Sequence, residues 1–436
     1  MSDYLDKIIN QNKETESRSR ESEVKRVKDL VQKRLPSYVD RQNIFGISDP
    51  QQLEKIKQHM KQIIYKDGTF LRNYEIAQLV ETLTLEITSL GKLSPLMDDN
   101  TISEIMINAH DEIWIDRGGK KELTNITYKN DEEIFELAQR IARNIGRLID
   151  VSHPMVDARL PDGSRVNIII PPAARKGTTI TIRKFFKEKI TIDDLVKFST
   201  VTPEMARFLR DLVYSRTNIM VSGGTGSGKT TTLNVLTNFI PDSERIITIE
   251  DSAELQPNNA HIVSLETKEA NAEGRGKVSI QDLVKNALRM FPDRIIIGEL
   301  RDFVAYNFLQ AANTGHEGSM ATVHSNSPDE CISRLTSLVM EGGIYKDSEL
   351  VRRMVGETLD IVVQISRMRD GKRRIEYISE VIIDKKGEVY TNPIFEYKVS
   401  EVTEDDQIIG EFIRTENPLS NNLLYKFKQN GIKTYF

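Results

Sequence analysis

The sequence predicts an α/β protein in three parts, and three observations predict it. From about residue 203 to 385, short apolar runs alternate with helical periodicity, the pattern of βαβ units around a largely parallel sheet. A glycine-rich loop, Gly223-Gly224-Thr225-Gly226-Ser227-Gly228-Lys229-Thr230, joins one such run to the helix that follows. Ahead of both, helical periodicity gives way near residue 89 to the two-residue alternation of strands.

Composition sets the outer limits. A chain of 436 residues exceeds the roughly 100–200 of one domain, so two to four domains are expected. Hydrophobic residues at 39% and charged residues at 29% suit a soluble protein with real cores. Net charge is −5, from 60 basic and 65 acidic side chains. That balance argues against a chain whose main work is gripping phosphate backbones, so no specific nucleic acid is expected as a partner. Cys331 is the only cysteine. It cannot make an internal disulfide or a four-cysteine zinc site, and no zinc is expected. The opening MSDYLDKIINQNKETES lacks the apolar stretch of a secretory signal. No window approaches ~18 uninterrupted apolar residues, so no bilayer-spanning helix is expected. These features predict a cytoplasmic chain whose membrane role, if any, is peripheral.

Residues 1–88 read as a helical bundle. Val24, Val27, Val31 and Leu35 recur at helical spacing, as do Leu53, Ile56, Met60 and Ile63, then Ile76, Leu79, Val80, Leu83 and Ile87. The first ~20 residues are polar and expected to be mobile. The bundle reads as a packing or interaction module.

Residues 89–187 read as an α+β domain. Segments 104–108 and 112–116 alternate polar with apolar residues around the turn formers Asn108 to Asp111, a hairpin signal. Asn130 or Asp131 is placed to cap a helix carrying Ile134, Leu137, Ile141 and Ile145. Strands are expected at 155–160, 165–170 and 177–185, with Pro161-Asp162-Gly163 as a turn. Residues 188–202 read as a connector. Within 203–395, strands are expected at 217–222, 245–250, 294–298 and 320–324. Helices are expected from Lys229 and at 279–291, 303–313, 328–341 and 348–359. A hairpin over 361–368 and 374–383 turns at Asp370-Gly371. Residues 396–436 read as a tail packed on or near this last domain.

The glycine-rich loop fits G-x-x-x-x-G-K-[ST], and each residue type has a physical task. Glycines let the backbone turn tightly, so that successive N–H groups face phosphate oxygens. The following helix presents its positive end. Lys229 is placed for the β- and γ-phosphates, and the Thr230 hydroxyl for Mg²⁺. No N-K-x-D guanine reader stands downstream, so ATP is favoured.

Hydrolysis needs a carboxylate to polarise water and a magnesium shell. Glu250 ends the run Ile247-Thr248-Ile249, and Glu299 follows Ile295-Ile296-Ile297-Gly298. Both fall at the carboxyl ends of strands, where ligands bind in α/β sheets. Gly298 stands where many P-loop NTPases carry an acidic residue, so Glu299 is expected to act on magnesium through water. His316 and His324 lie eight residues apart in TGHEGSMATVHS. His324 ends a strand on the same edge and is placed to sense a γ-phosphate; His316 reads either as a second polar group or as a packing histidine. Cations are needed against transition-state charge. Arg165 and Arg183, on strands of the preceding domain, are the leading candidates, with Arg159 and Arg301 behind them.

Taken in order, GGTGSGKTT (through Thr231), TIEDSAEL, IIIGELR and TGHEGSMATVHSNSP resemble the secretion ATPase superfamily of type II secretion, type IV secretion and type IV pili. LGKLSPLMDDNTISEIMIN, DARLPDGSRVNIIIPP and ITIRKF resemble its CpaF branch, the tight-adherence (Tad) pilus ATPases. The resemblance spans roughly residues 80–400. It implies a RecA-like ATPase domain behind a PAS-like α+β domain, a homo-hexameric ring, and ATP with Mg²⁺ as cofactors. It also implies a polytopic inner-membrane platform protein as partner, with the ring held at the inner face of the cytoplasmic membrane. By the same resemblance, Glu250 is the catalytic carboxylate and Glu299 the Walker B acid. His324 belongs to the histidine box, and Arg165 and Arg183 are the arginines brought to ATP. The lone cysteine departs from the four-cysteine branches, which favours the Tad-like or type IV secretion-like ones. Two other classes share a P-loop: a RecA-like nucleic-acid motor, which the net charge disfavours, and a nucleotide-regulated scaffold with little turnover.

Overall fold

A computed structural model describes residues 20, 22–31, 33–39, 50–88, 90–144, 147–160, 162–185, 190–268 and 275–433. The polar first ~20 residues, Ile145, Pro161, residues 186–187 at the end of the expected α+β domain and residues 188–189 of the expected connector lie almost wholly outside this set. The chain divides into two compact units, Met1–Lys187 and Glu188–Phe436.

The first unit opens with helical residues at 22–31 and 33–34, then the helices Pro50–Asp67 and Asn73–Thr88. Their apolar stripes meet in one core of Val27, Val31, Leu35, Ile56, Met60, Ile63, Ile76, Val80 and Leu83. Val24, at the predicted spacing, is exposed instead. Six strands follow: β1 (Ile102–Ala109), β2 (Glu112–Arg117), β3 (Lys120–Leu123), β4 (Met155–Arg159), β5 (Arg165–Ile169) and β6 (Thr179–Arg183). They form one antiparallel sheet in the order β3-β2-β1-β6-β5-β4. Ile105 pairs with Ile115 and Ile107 with Ile113, as the hairpin alternation requires. One face of this sheet buries Ile105, Ile107, Val166, Ile168, Ile180 and Ile182 against the helix Asp131–Asn144. The helix is capped by Asn130, whose Oδ1 accepts the Glu133 N–H at 3.2 Å. Asp131 accepts the Thr178 N–H instead, at 2.6 Å.

The second unit is a nine-stranded sheet. Its strands are β7 (Ile219–Ser222), β8 (Ile246–Glu250), β9 (Ile262–Glu266), β10 (Arg294–Ile297), β11 (Met320–Val323), β12 (Ile361–Arg367), β13 (Arg373–Ile383), β14 (Val389–Val402) and β15 (Ile408–Arg414). The order is β15-β14-β13-β12-β7-β11-β10-β8-β9. From β12 to β9 every pairing is parallel, and from β12 to β15 every pairing is antiparallel. The central strands β7, β8, β10 and β11 are buried along their whole length, because helices cover both faces.

Two segments differ from the sequence reading. Within the stretch read as a connector, Ile192–Lys197 is a helix with a Thr191–Asp194 capping box, and Leu195 and Val201 join the second unit's core. The helix expected over 279–291 ends at Ala287. Pro292 disfavours helical geometry at Phe291, which takes φ 55° and is 87% exposed. The tail is largely ordered: β14 and β15 extend the sheet, and the helix Asn421–Gln429 buries Leu423 and Phe427 beside Phe208 and Phe395. Among the described residues no helix is long and apolar enough to cross a membrane.

Candidate active site

Four adjacent parallel strands, β7, β11, β10 and β8, end on one edge of the second unit's sheet. β7 runs into the loop Gly223–Gly228, β11 into His324, β10 into Gly298-Glu299, and β8 ends on Glu250. Four separate stretches of sequence, Gly223–Gly228, Glu250, Gly298-Glu299 and His324, therefore share one edge, the carboxyl edge at which α/β sheets bind ligands.

The loop is shaped by backbone conformations that only glycine adopts without strain. Gly226 has φ 71° and Gly228 has φ 101°. At Gly223 a Cβ would stand 2.2 Å from the Ile365 carbonyl oxygen, so β12 packs directly under the loop's first turn. Three donors converge on the Gly224 carbonyl: Lys229 Nζ at 2.8 Å, Ser227 Oγ at 2.9 Å and the Ser227 N–H at 3.4 Å. The helix Lys229–Thr237 starts immediately behind, with Thr230 and Thr231 half-buried in its first turn. Its unpaired amides and positive end face the loop. The result is a concentration of N–H donors and one buried ammonium, suited to polyphosphate.

Lys229 begins a chain of charged contacts. Its Nζ lies 3.3 Å from His324 Nδ1, His324 Nε2 lies 3.1 Å from Glu299 Oε1, and Arg301 donates to Glu299 Oε2 at 2.6 Å. Arg301 also approaches Asp251 at 3.5 Å. An ammonium only donates and a carboxylate only accepts, so Nδ1 accepts and Nε2–H donates. That is a neutral imidazole with one defined tautomer. The electrostatics agree: burial, then the Lys229 charge, lowers the His324 pKa against the opposing pull of Glu299. Burial also pushes the Lys229 ammonium down to about 8, opposed by Glu299. Beside this chain lies a cavity of about 430 Å³, within the range of small-molecule sites, lined by Thr225, Glu299, Arg301, Val323, His324 and Arg334 among others.

Glu250 is 3% exposed. Its Oε1 accepts the N–H groups of Glu254 at 2.9 Å and Leu255 at 3.0 Å, so the loop after β8 wraps around the carboxylate and fixes its direction. The same carboxylate explains Gly298. A Cβ at Gly298 would stand 2.9 Å from Glu250 Cγ, leaving no room for the acidic side chain found at that position in many P-loop proteins. The first acid of the site reaches the edge from β8, over the glycine of β10.

The remaining candidates divide between the two units. His316 lies in the turn before β11, at the opposite end of that strand, and its ring nitrogen donates to the Ala311 carbonyl at 3.1 Å; it closes a helix end and does not join the edge. Arg159, Arg165 and Arg183 belong to the first unit, where they are direct cross-strand partners in one row, Arg159–Arg165–Arg183. They point away from the core face, and Arg183 donates to Glu104 at 2.8 Å. The row continues to Glu104, the cross-strand partner of Arg183 on β1, so the line of cations ends on a carboxylate. Cys331 is fully buried, with Ser222 and Ser325 bonded beside it, and burial pushes its thiol up to about 12. Sequence reasoning missed Arg373, whose Nε donates to the Gly226 carbonyl at 3.1 Å. The only sequence signal was its place beside the Asp370-Gly371 turn.

Magnesium takes hard oxygen donors and usually keeps only one or two from protein, the rest coming from phosphate and water. The Thr230 hydroxyl and the Glu299 carboxylate are donors of that kind. Among the described residues no group of three or more His, Cys, Asp or Glu side chains gathers as a metal cage. The donor set therefore fits a metal that arrives with phosphate.

Comparison with known proteins gives a consistent result. The family model described as "Type II/IV secretion system protein" matches residues 86–394. The conjugal transfer protein TrbB of Rhizobium radiobacter is 35% identical over 298 residues, covering 66% of this chain and 87% of that protein. The type IV secretion system protein VirB11 of Brucella suis is 33% identical over 325 residues, covering 68% of this chain and 89% of that one. The crystal structure of the Brucella suis VirB11 ATPase with sulphate aligns at 30% identity over 66% of this chain and 94% of that chain, with a TM-score of 0.36. With the P-loop edge on the second unit and a family match across most of the chain, this protein belongs to the type II/IV secretion system ATPase family.

Proposed function

We propose that this chain is an ATP-hydrolysing motor that works as a homo-hexameric ring at the inner face of the cytoplasmic membrane and powers pilin assembly or export through a polytopic platform protein. The observation that carries this reading is the sheet edge, where a P-loop, a neutral histidine and two differently held carboxylates converge. The Gly223–Thr231 loop binds the phosphates through its amides, with Lys229 on the β- and γ-phosphates. Thr230 and, through water, Glu299 would hold magnesium, which would neutralise phosphate charge. Glu250, fixed by the Glu254 and Leu255 amides, orients and deprotonates the attacking water. His324 joins Lys229 to Glu299, so a change at the γ-phosphate is felt by both. Arg165 and Arg183 are the first unit's contribution against transition-state charge.

The test is phosphate release. Lys229→Ala abolishes turnover, and Glu250→Gln binds ATP with little turnover; unchanged hydrolysis in Lys229→Ala would overturn the reading. The Tad-like branch rests on the motifs before residue 187. A second reading, a type IV secretion-like traffic ATPase, is favoured by relatives whose names are conjugal transfer protein TrbB and VirB11. Cross-linking in native membranes separates the two. Recovery of a pilus platform protein supports the first, and recovery of secretion-channel components supports the second.

A further inference from the structure

The outer wall of the P-loop is built by the β12–β13 hairpin, which no loop motif specifies. Ile365 on β12 places its carbonyl under Gly223. Arg373, the first residue of β13, lays its side chain across the end of the loop: a Cβ at Gly228 would stand 3.1 Å from Arg373 Cδ. Its Nε then donates to the Gly226 carbonyl at 3.1 Å. The hairpin itself is anchored by the neighbouring residue. Arg374 forms a two-pronged pair with Asp370, at 3.1 and 2.7 Å, both side chains nearly inaccessible, and stacks on the Tyr397 ring with 5.0 Å to its centroid. Successive strand residues face opposite ways, so locking Arg374 inward aims Arg373 at the loop.

We propose that Arg373 is a positioning residue for nucleotide binding, clamping the P-loop through Gly226 so that its amides face the phosphates. In a trans peptide the C=O and the next N–H point in opposite directions. Holding the Gly226 carbonyl outward therefore turns the Ser227 N–H into the loop, where it lies 3.4 Å from the Gly224 carbonyl. That N–H belongs to the donor set the phosphates take over. The ligand class is a nucleoside polyphosphate, and the inference rests on the P-loop reading above. It adds that part of the affinity is stored in a hairpin outside the loop.

The test is ADP affinity of the full chain, by titration of a fluorescent ADP with magnesium, alongside melting without nucleotide. Arg369→Ala is the charge-matched control: it removes a cation from the same turn, and Arg369 makes no hydrogen bond or ion pair among the described residues. Arg373→Ala is expected to weaken ADP about tenfold, the scale of one charge-assisted hydrogen bond. Arg373→Lys keeps a donor and a charge and recovers most of that loss, while Arg369→Ala binds as the parent does. Melting of Arg373→Ala without nucleotide stays within about 2 °C of the parent, as for a surface substitution. Equal affinity in Arg373→Ala and parent would overturn the inference. So would equal weakening by both alanine variants, or a large loss of melting temperature accompanying the loss of affinity. A parent chain that binds no ADP would instead overturn the P-loop reading itself, and this inference with it.

Discussion

Adding one methyl group at Gly298 tests the placement of the catalytic carboxylate. In Gly298→Ala the new Cβ would stand 2.9 Å from Glu250 Cγ, 3.4 Å from its Oε1 and 3.5 Å from its Cβ. Carbon atoms rest at about 3.5–4.0 Å, so the Glu250 side chain must retreat by roughly 0.5–1 Å. It has little room, being 3% exposed and bonded to the Glu254 and Leu255 amides at 2.9 and 3.0 Å. Overpacking of this kind costs about 1–3 kcal/mol. For a unit of this size each kcal/mol lowers melting by about 2–4 °C, so a fall of roughly 2–12 °C is expected. The larger effect is chemical: displacing a reacting group by 1 Å costs about 100-fold in rate. ADP affinity, set by the loop on β7, should hold. Phosphate release, differential scanning fluorimetry and ADP titration read the three quantities. Turnover within twofold of the parent, with unchanged melting, would refute the assignment of Glu250 and the explanation of Gly298 together.

Other predictions follow from the electrostatics. Lys229, with its pKa near 8, is about 90% charged at pH 7 and about 10% at pH 9, so apparent ADP affinity should fall about tenfold as pH rises across that window. A flat titration profile would show that the ammonium does not hold phosphate. Lys426 pairs with the buried Asp360 at 2.7 Å, and Lys426→Met should cost about 3–5 kcal/mol by leaving that carboxylate unpaired. Burial already raises the Asp360 pKa, so the native state binds its proton more readily than the unfolded chain. The Lys426→Met deficit, measured by urea unfolding, should therefore narrow as pH falls and be greatest above neutrality. A deficit independent of pH would point to lost packing instead. His324→Ala separates Lys229 from Glu299, and should lower turnover about tenfold or more with a smaller change in ADP affinity.

The central sheet was legible because parallel strands covered on both faces must be apolar throughout, as Ile246–Ile249 and Arg294–Ile297 nearly are. Edge strands carry weaker signals. β3 reads KKEL and is exposed along its length, and β9 buries none of its five residues fully. The β14–β15 ribbon buries only Val389, Ile394 and Phe395, so its alternation is diluted by polar residues. The loop and its strand-end partners could be read because phosphate chemistry demands glycines, a lysine and acids at fixed places. What sequence did not contain was contact. Nothing in Ile297-Gly298-Glu299 announces that Gly298 makes room for a side chain of β8. The partners of Glu250 are backbone amides, which carry no residue-type signal. Arg373 meets the loop across 147 positions of sequence through a single carbonyl. The helix misjudged at 279–291 followed its apolar stripe too far: the regular helix ends at Ala287, and Phe291, ahead of Pro292, leaves helical geometry altogether.

The most direct test of the account is a paired measurement on Glu250→Gln, which keeps the shape of the side chain and removes its charge. ATP binding and single-turnover phosphate release should be followed on the same preparation. If Glu250 is the base at a working P-loop, the variant binds ATP within about threefold of the parent and releases phosphate at least about 100-fold more slowly. Parent-like phosphate release by Glu250→Gln would contradict the central claim, that hydrolysis is carried out at this sheet edge by the carboxylate of β8.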